Sequence, residues 1–157
     1  MDTNNLWKRK MENKVILIPC GAKKKDVSCM AWEMYSGNYF RALLDYAVTL
    51  GKDIKIISAG YGILKLNDVI DPYDIIMSPK RRKLIQSLSE NSFTHVLSLL
   101  PKNYLKAINY QTADLMYPSG IGMGSIISYV KKQTKVNKPV FDLTLLKAAD
   151  KRSLLNE

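Results

Sequence analysis

Short apolar runs rich in β-branched residues, separated by stretches of helical spacing, constrain this chain most. Lys14-Val-Ile-Leu-Ile-Pro19 is the clearest. It is too short for a helix and predicts a buried strand. Asp53 to Ile57 predicts a second strand, ending at Ser58-Ala59-Gly60. Phe93-Thr-His-Val-Leu-Ser-Leu99 predicts a third, and Ala113-Asp-Leu-Met116 a short fourth. Between the first two, Tyr39, Phe40, Leu43, Leu44, Ala47 and Val48 recur at the 3.6-residue period within Cys29 to Leu50. Ser36-Gly37 breaks that stretch or starts its main helix, and Gly51 stops it.

Later helices carry their own start signals. Ser78 caps and Pro79 fits the first turn of a helix whose exposed face would hold Lys80, Arg81, Arg82 and Lys83. Pro101 opens another, to about Ile108. Pro118-Ser-Gly-Ile-Gly-Met-Gly124 turns into a helix from about Ser125 to Gln133, and the tail predicts one more from Leu143 to Leu155. Strands alternating with helices predict an α/β fold, a mostly parallel central sheet with helices on both faces. Ligands of such sheets bind at the carboxyl ends of strands. Three loops should therefore meet there: Cys20 to Lys25, Ser58 to Leu64, and the region after Leu99 or Met116.

The length, 157 residues, suits a single domain over residues 1–157. No run approaches the roughly 18 apolar residues of a membrane span. The start, Met1-Asp-Thr-Asn-Asn-Leu-Trp-Lys-Arg-Lys10, lacks the apolar core of a secretory signal, so a cytoplasmic protein without a membrane partner is expected. Cys20 and Cys29 are the only cysteines and His95 the only histidine. A structural zinc site needs four such ligands, so no metal is expected, and the cytosol disfavours a disulfide. A Cys20–His95 nucleophilic pair is formally possible, but a lone strand histidine more often makes a structural hydrogen bond.

The net charge is +10, and it is unevenly spread. Residues 1–25 hold seven basic and two acidic side chains, residues 78–106 six and one, and residues 131–152 seven and two. Residues 26–77 reverse the balance, with four and seven. An acidic middle between basic flanks predicts a polyanion partner, and nucleic acid before an anionic membrane surface.

The chemistry-bearing residues fall in the predicted loops. Cys20-Gly21-Ala22-Lys23-Lys24-Lys25 offers backbone N–H groups and three cations to a phosphate, without the spacing of a P-loop. Gly120-x-Gly122-x-Gly124 lies too late, behind too poor a strand, for NAD binding. With Ser119 and Ser125 it can hold a nucleic-acid phosphate at a helix start, or serve close helix packing. Ser58-Ala-Gly-Tyr-Gly-Ile-Leu64 brings Ser58 and Tyr61 to a sheet edge. Asp71-Pro72-Tyr73-Asp74 joins a rigid turn, an aromatic face and two carboxylates. Asp74 or Asp71 could orient water or steady positive charge on a sugar; spacing alone fits a turn with Asp caps as well. Tyr35 and Ser36, in Tyr35-Ser-Gly-Asn-Tyr-Phe40, are candidates for a pocket wall.

In this order, Pro19-Cys-Gly-Ala-Lys-Lys, Glu33-Met-Tyr-Ser-Gly-Asn-Tyr-Phe40, Ser58-Ala-Gly-Tyr-Gly-Ile-Leu64, Ile70-Asp-Pro-Tyr-Asp74 and Ser119-Gly-Ile-Gly-Met-Gly124 resemble the bacterial and phage DUF6884 family. More distantly the chain resembles the YaaA group and the uracil-DNA-glycosylase-like superfamily. The family-like core covers residues 14–132, with residues 1–13 and 139–157 as peripheral extensions. The resemblance implies a three-layer α/β sandwich and chemistry on a nucleobase or its N-glycosidic bond. That superfamily places an acidic or polar residue after its first strand and a histidine in a second motif. Here Cys20-Gly-Ala-Lys stands in the first loop and His95 inside a strand, which moves the expected catalytic acid to Asp71 or Asp74.

The combined expectation is a DNA glycosylase for a modified base, with no cofactor and no obligate protein partner, serving defence against phages with modified DNA. Asp74 and Asp71 would carry catalysis. Cys20, Gly21, Tyr35, Ser36, Ser58, Tyr61 and Tyr73 would form the base pocket. Lys23, Lys24, Lys25, Lys80, Arg81, Arg82, Ser119, Gly120, Gly122, Gly124 and Ser125 would hold phosphates. The alternatives are a non-catalytic nucleic-acid-binding or stress protein, and an enzyme acting on a free nucleotide or tRNA base.

Overall fold

A computed structural model describes residues 14–151. In chain order the elements are β1 (Val15–Pro19), β2 (Cys29–Met30), α1 (Ala31–Met34), α2 (Asn38–Leu50), β3 (Ile54–Ser58), β4 (Gly62–Lys65), β5 (Asp68–Ile70), α3 (Pro79–Gln86), β6 (Phe93–Ser98), α4 (Lys102–Leu105), β7 (Tyr110–Leu115) and α5 (Met123–Val136). A 3₁₀ turn (Leu143–Leu145) and β8 (Ala149–Asp150) follow. No helix among the described residues is long and apolar enough to cross a membrane.

Every residue of β1 is buried. Strand side chains alternate between faces, so Ile16 and Ile18 join one apolar cluster and Val15 and Leu17 another. The first cluster takes in Phe40, Leu43, Leu44 and Ala47 of α2 and Ile126 and Val130 of α5. The second takes in Ile85 of α3, with Tyr104 and Leu105 of α4 and the adjoining Ala107 and Ile108. Coverage on both sides explains the unbroken apolar run in the sequence. α2 begins after Gly37, ends at Gly51 and buries the face its periodicity predicts. Ser78 caps α3 by accepting from the Arg81 N–H, with Pro79 in the first turn.

The five-stranded sheet has the order β4-β3-β1-β6-β7. β1 pairs parallel with β3 and β6, and β6 with β7, while β4 runs antiparallel to β3. The sheet is therefore mixed, which corrects the expectation of a mostly parallel one. The cause is local. Ser58 pairs with Gly62, whose φ of 83° lies in the left-handed region. That conformation suits glycine and lets the chain reverse directly, where a parallel return needs a crossover of about a dozen residues.

A second sheet, β2-β5-β8, flanks the first. It holds Cys29 against Ile70 and Asp68 against Ala149. The tail helix expected from Leu143 to Leu155 does not form over the described residues. Asn67 takes its place as partner, donating Nδ2–H to Lys147 O at 2.8 Å and accepting the Ala149 N–H at 2.9 Å. Tertiary pairing overrides a weak helix preference here. The part of that prediction beyond Lys151 lies outside the described residues. So do the basic side chains of the first 13 positions.

Asn91 is a tie that periodicity does not reveal. It is buried, donates to Ile85 O and Ala107 O at 2.8 Å each, and accepts the Asn109 N–H at 2.9 Å. It thereby closes the end of α3 onto the turn after α4. Asn91→Ala strands these backbone groups and should cost about 2–4 kcal/mol. Urea unfolding of the variant beside the native chain measures it; an unchanged midpoint would refute the tie.

Candidate functional site

The site forms where β1 and β3 end and where the chain passes after β6. The Cys20 N–H donates to Ile57 O at 3.0 Å, seating the first loop against β3. That loop is clamped to the start of the helical layer: Lys24 bridges Tyr35, the Lys25 N–H donates to Met34 O, and the Ser36 N–H to Lys23 O. Gly21 lies close to Tyr35 and Phe40, leaving a Cβ 3.5–3.6 Å from their side chains.

Ser58, fully buried at the end of β3, is the hub. Its Oγ accepts the N–H groups of Gly60 and Tyr61 at 3.2 and 3.0 Å and lies 2.6 Å from Tyr73 Oη. Tyr73 Oη is in turn 2.6 Å from Tyr35 Oη. Tyr61 Oη accepts the Asp71 N–H at 2.9 Å and donates to Asp71 O at 3.4 Å, which fixes the entry to the Asp71–Asp74 turn. The Tyr61 and Tyr35 rings meet Tyr73 edge-on, at 5.4 and 6.4 Å between centroids. Lys24 Nζ stands 4.5 Å from the Tyr73 ring centroid, a cation–π distance. Burial, then the Cys20 thiol, pushes the Tyr35 and Tyr73 phenols well above the ordinary tyrosine range. The Cys20 Sγ lies 3.3 Å from Tyr104 Oη, and burial raises that phenol too.

In front of this cluster opens a cavity of about 270 Å³. Cys20, Gly21, Ala22 and Lys24 form one wall, Asp74 to Met77 a second, and Asn103 and Tyr104 a third. Asp74 is the only carboxylate in the lining among the described residues. Both Asp71 and Asp74 are exposed, but Asp71 does not line the cavity and its carboxylate accepts the Ser28 hydroxyl. A larger groove, about 500 Å³ and lined by Trp32, Val48 and Phe141 among others, lies on the α2 side, away from these strand ends.

Of the predicted pocket residues, Cys20 and Gly21 line the cavity, while Tyr35, Ser58, Tyr61 and Tyr73 form the hydroxyl cluster behind it. Ser36 enters only through its backbone. Lys23 and Lys25 are exposed, and Lys24 turns to the cavity. Lys80 is exposed at the start of α3, with Arg82 half-buried beside it. Arg81 corrects its expectation: it is buried and donates to Ala59 O at 2.7 Å and Gly60 O at 3.1 Å. The chain following Ser58 is thus held by a guanidinium that spacing had placed in solvent. Ser119, Gly120, Gly122, Gly124 and Ser125 are exposed before and within the start of α5 and do not line the cavity. A Cβ at any of these three glycines would meet nothing within 4 Å, so close packing is not their purpose. His95 bonds Thr112 across β6 and β7 at 2.5 Å and makes no pair with Cys20. Both cysteines are free thiols.

Asn103, Tyr104 and the Ile75–Met77 strip were not singled out by sequence. The signal for Tyr104 was its place just after a strand's carboxyl end; the strip carried none, because apolar residues in an extended segment read as core.

A family of unknown function, DUF6884, matches residues 15–132. The chain belongs to the DUF6884 family. No curated protein and no solved structure matches it. The matched span holds every described cavity residue of this DUF6884 member.

Two measurements test the site's construction. Arg81→Met should lower stability by about 2–4 kcal/mol, since buried carbonyls lose a charged donor. Urea unfolding beside the native chain measures it; an unchanged midpoint would return Arg81 to the solvated face. In a tyrosinate absorbance titration, the Tyr35, Tyr73 and Tyr104 phenols should stay protonated until the chain unfolds. Their folded values are raised above the ordinary 10.0. Their contribution to stability is thus complete below that pH and is lost as pH rises above it. Smooth ionisation of all nine tyrosines in the folded chain would contradict the cluster.

Proposed function

We propose that this protein is a DNA glycosylase that hydrolyses the N-glycosidic bond of a modified nucleobase, leaves an abasic site, and acts against phage DNA bearing such bases. The carrying observation is the strand-end cavity, with the Asp74 carboxylate and the Lys24 ammonium in its wall. At about 270 Å³ it falls just below the roughly 300–1,000 Å³ of pockets for drug-sized ligands, a size suited to a single substituted ring. A base inside a duplex must leave the stack to enter. Bond cleavage builds positive charge on the sugar, which Asp74 would offset while orienting the attacking water. Lys24 would attract the charge that develops on the departing base. Exposed Lys23, Lys25 and Lys80, with half-buried Arg82 two positions after Lys80, are the candidates for phosphate contacts. Such hydrolysis requires no cofactor and would occur in the cytoplasm. In this reading the mixed sheet with helices on both faces is a variant of the three-layer uracil-DNA-glycosylase-like sandwich, related to the YaaA group.

Incubation with differently modified genomic DNAs, followed by abasic-site detection and mass spectrometry of released bases, tests the activity. Asp74→Asn should slow excision by about a hundredfold or more. Asp71→Asn should stay within about threefold, because that carboxylate serves the Ser28 contact. Full activity of Asp74→Asn would sink the carboxylate mechanism. Salt-dependent DNA binding without any abasic product would favour a non-catalytic binding protein.

A further inference from the structure

The hydrogen-bond count around Ser58 leaves one proton over. A hydroxyl has one proton and two lone pairs. The Gly60 and Tyr61 N–H groups occupy both lone pairs of Ser58 Oγ. The 2.6 Å contact with Tyr73 must therefore carry the Ser58 proton to the Tyr73 oxygen. Tyr73 and Tyr35 share one 2.6 Å contact but bring two phenolic protons to it. One proton fills that contact; the other has no acceptor among the described residues. Buried donors are rarely left so, because the cost of desolvation is not recovered. Tyr35 is wholly buried, whereas Tyr73 keeps some exposure.

Tyr73 is not itself a lining residue of the cavity but a neighbour of its wall. It directly precedes Asp74, the first residue of one wall, and Lys24 both lines the cavity and stands over the Tyr73 ring. We propose that Tyr73 is the hydrogen-bond donor for an acceptor atom of the bound base, a carbonyl oxygen or an unprotonated ring nitrogen; this rests on the reading of the cavity as a base pocket. Ser58 and Tyr35 then both donate to the Tyr73 oxygen, and the paired donation polarises its O–H. Burial keeps the phenol protonated, so it donates and does not act as a base. The pocket thereby selects bases that present an acceptor on their buried edge. As the glycosidic bond breaks, negative charge grows on the base and the same hydrogen bond strengthens.

The test titrates free uracil, cytosine, adenine and guanine, and ring-substituted derivatives of each, into the full chain with labelled tyrosines, followed by NMR. Binding of at least one base should shift a single buried tyrosine hydroxyl resonance. Tyr73→Phe should weaken that base by about tenfold or more, the worth of one well-placed hydrogen bond. Tyr35→Phe should stay within about threefold, because Ser58 still donates to Tyr73 and the Tyr73 proton is still spare. A purely structural role for the pair predicts equal loss in both variants. Thermal unfolding of each variant accompanies the titration, and if Tyr73→Phe does not fold, the native hydroxyl shift decides. Unchanged affinity in Tyr73→Phe, equal loss in both variants, a bound base without a hydroxyl shift, or no binding of any base at millimolar concentration overturns the proposal. Abasic-site formation separates the two claims. Base binding through Tyr73 without cleavage of any DNA would refute the glycosylase and keep the donor. Equal cleavage by the native chain and Tyr73→Phe would do the reverse.

Discussion

Burial of β1 on both faces is the constraint from which the rest of the structure follows. A central strand with no wet side must receive helices above and below it. α2 and α5 cover the Ile16 and Ile18 side, and α3 and α4 the Val15 and Leu17 side. Parallel pairing of β1 with β3 and β6 then brings their carboxyl ends to one edge. Cys20, Ser58 and the chain leading to Tyr104 meet there because their strands do.

At that edge the backbone sets the polarity of the site. Two N–H groups saturate the Ser58 oxygen and so fix which way its proton points. The order propagates through Tyr73 to Tyr35. Arg81 supports the arrangement from behind by holding the Ala59 and Gly60 carbonyls. A cation that spacing assigned to a solvated face thus helps to hold a buried turn. In front, Lys24 and Asp74 supply opposite charges to one small cavity. The site is therefore asymmetric, with a neutral hydroxyl cluster beside a cavity wall that carries charged groups.

Most of the fold was legible where patterning is strong. The strands β1, β3 and β6, the α2 face and the Ser78-Pro79 start of α3 all agree with their sequence signals. What stayed hidden depended on partners remote in the chain. The β4 hairpin hangs on one left-handed glycine, Gly62, inside what read as a loop. The β2-β5-β8 sheet is made of segments two or three residues long, too short to show a period. Arg81 read as a surface residue and Asn91 drew no reading, because nothing local reveals which carbonyls will lie beside them.

For the site, the sequence by itself determined the loops that matter and most of the residue types in them, because strand ends and turn chemistry are local properties. It left Asp71 and Asp74 equivalent and treated Tyr73 as an aromatic face. Only the tertiary structure separated the carboxylates, placing Asp74 in the cavity wall and giving Asp71 to Ser28. It likewise placed the Tyr73 hydroxyl between those of Ser58 and Tyr35. The physical reason is that hydrogen-bond saturation and cavity lining are sums over groups far apart in the chain. No window of sequence contains those groups together.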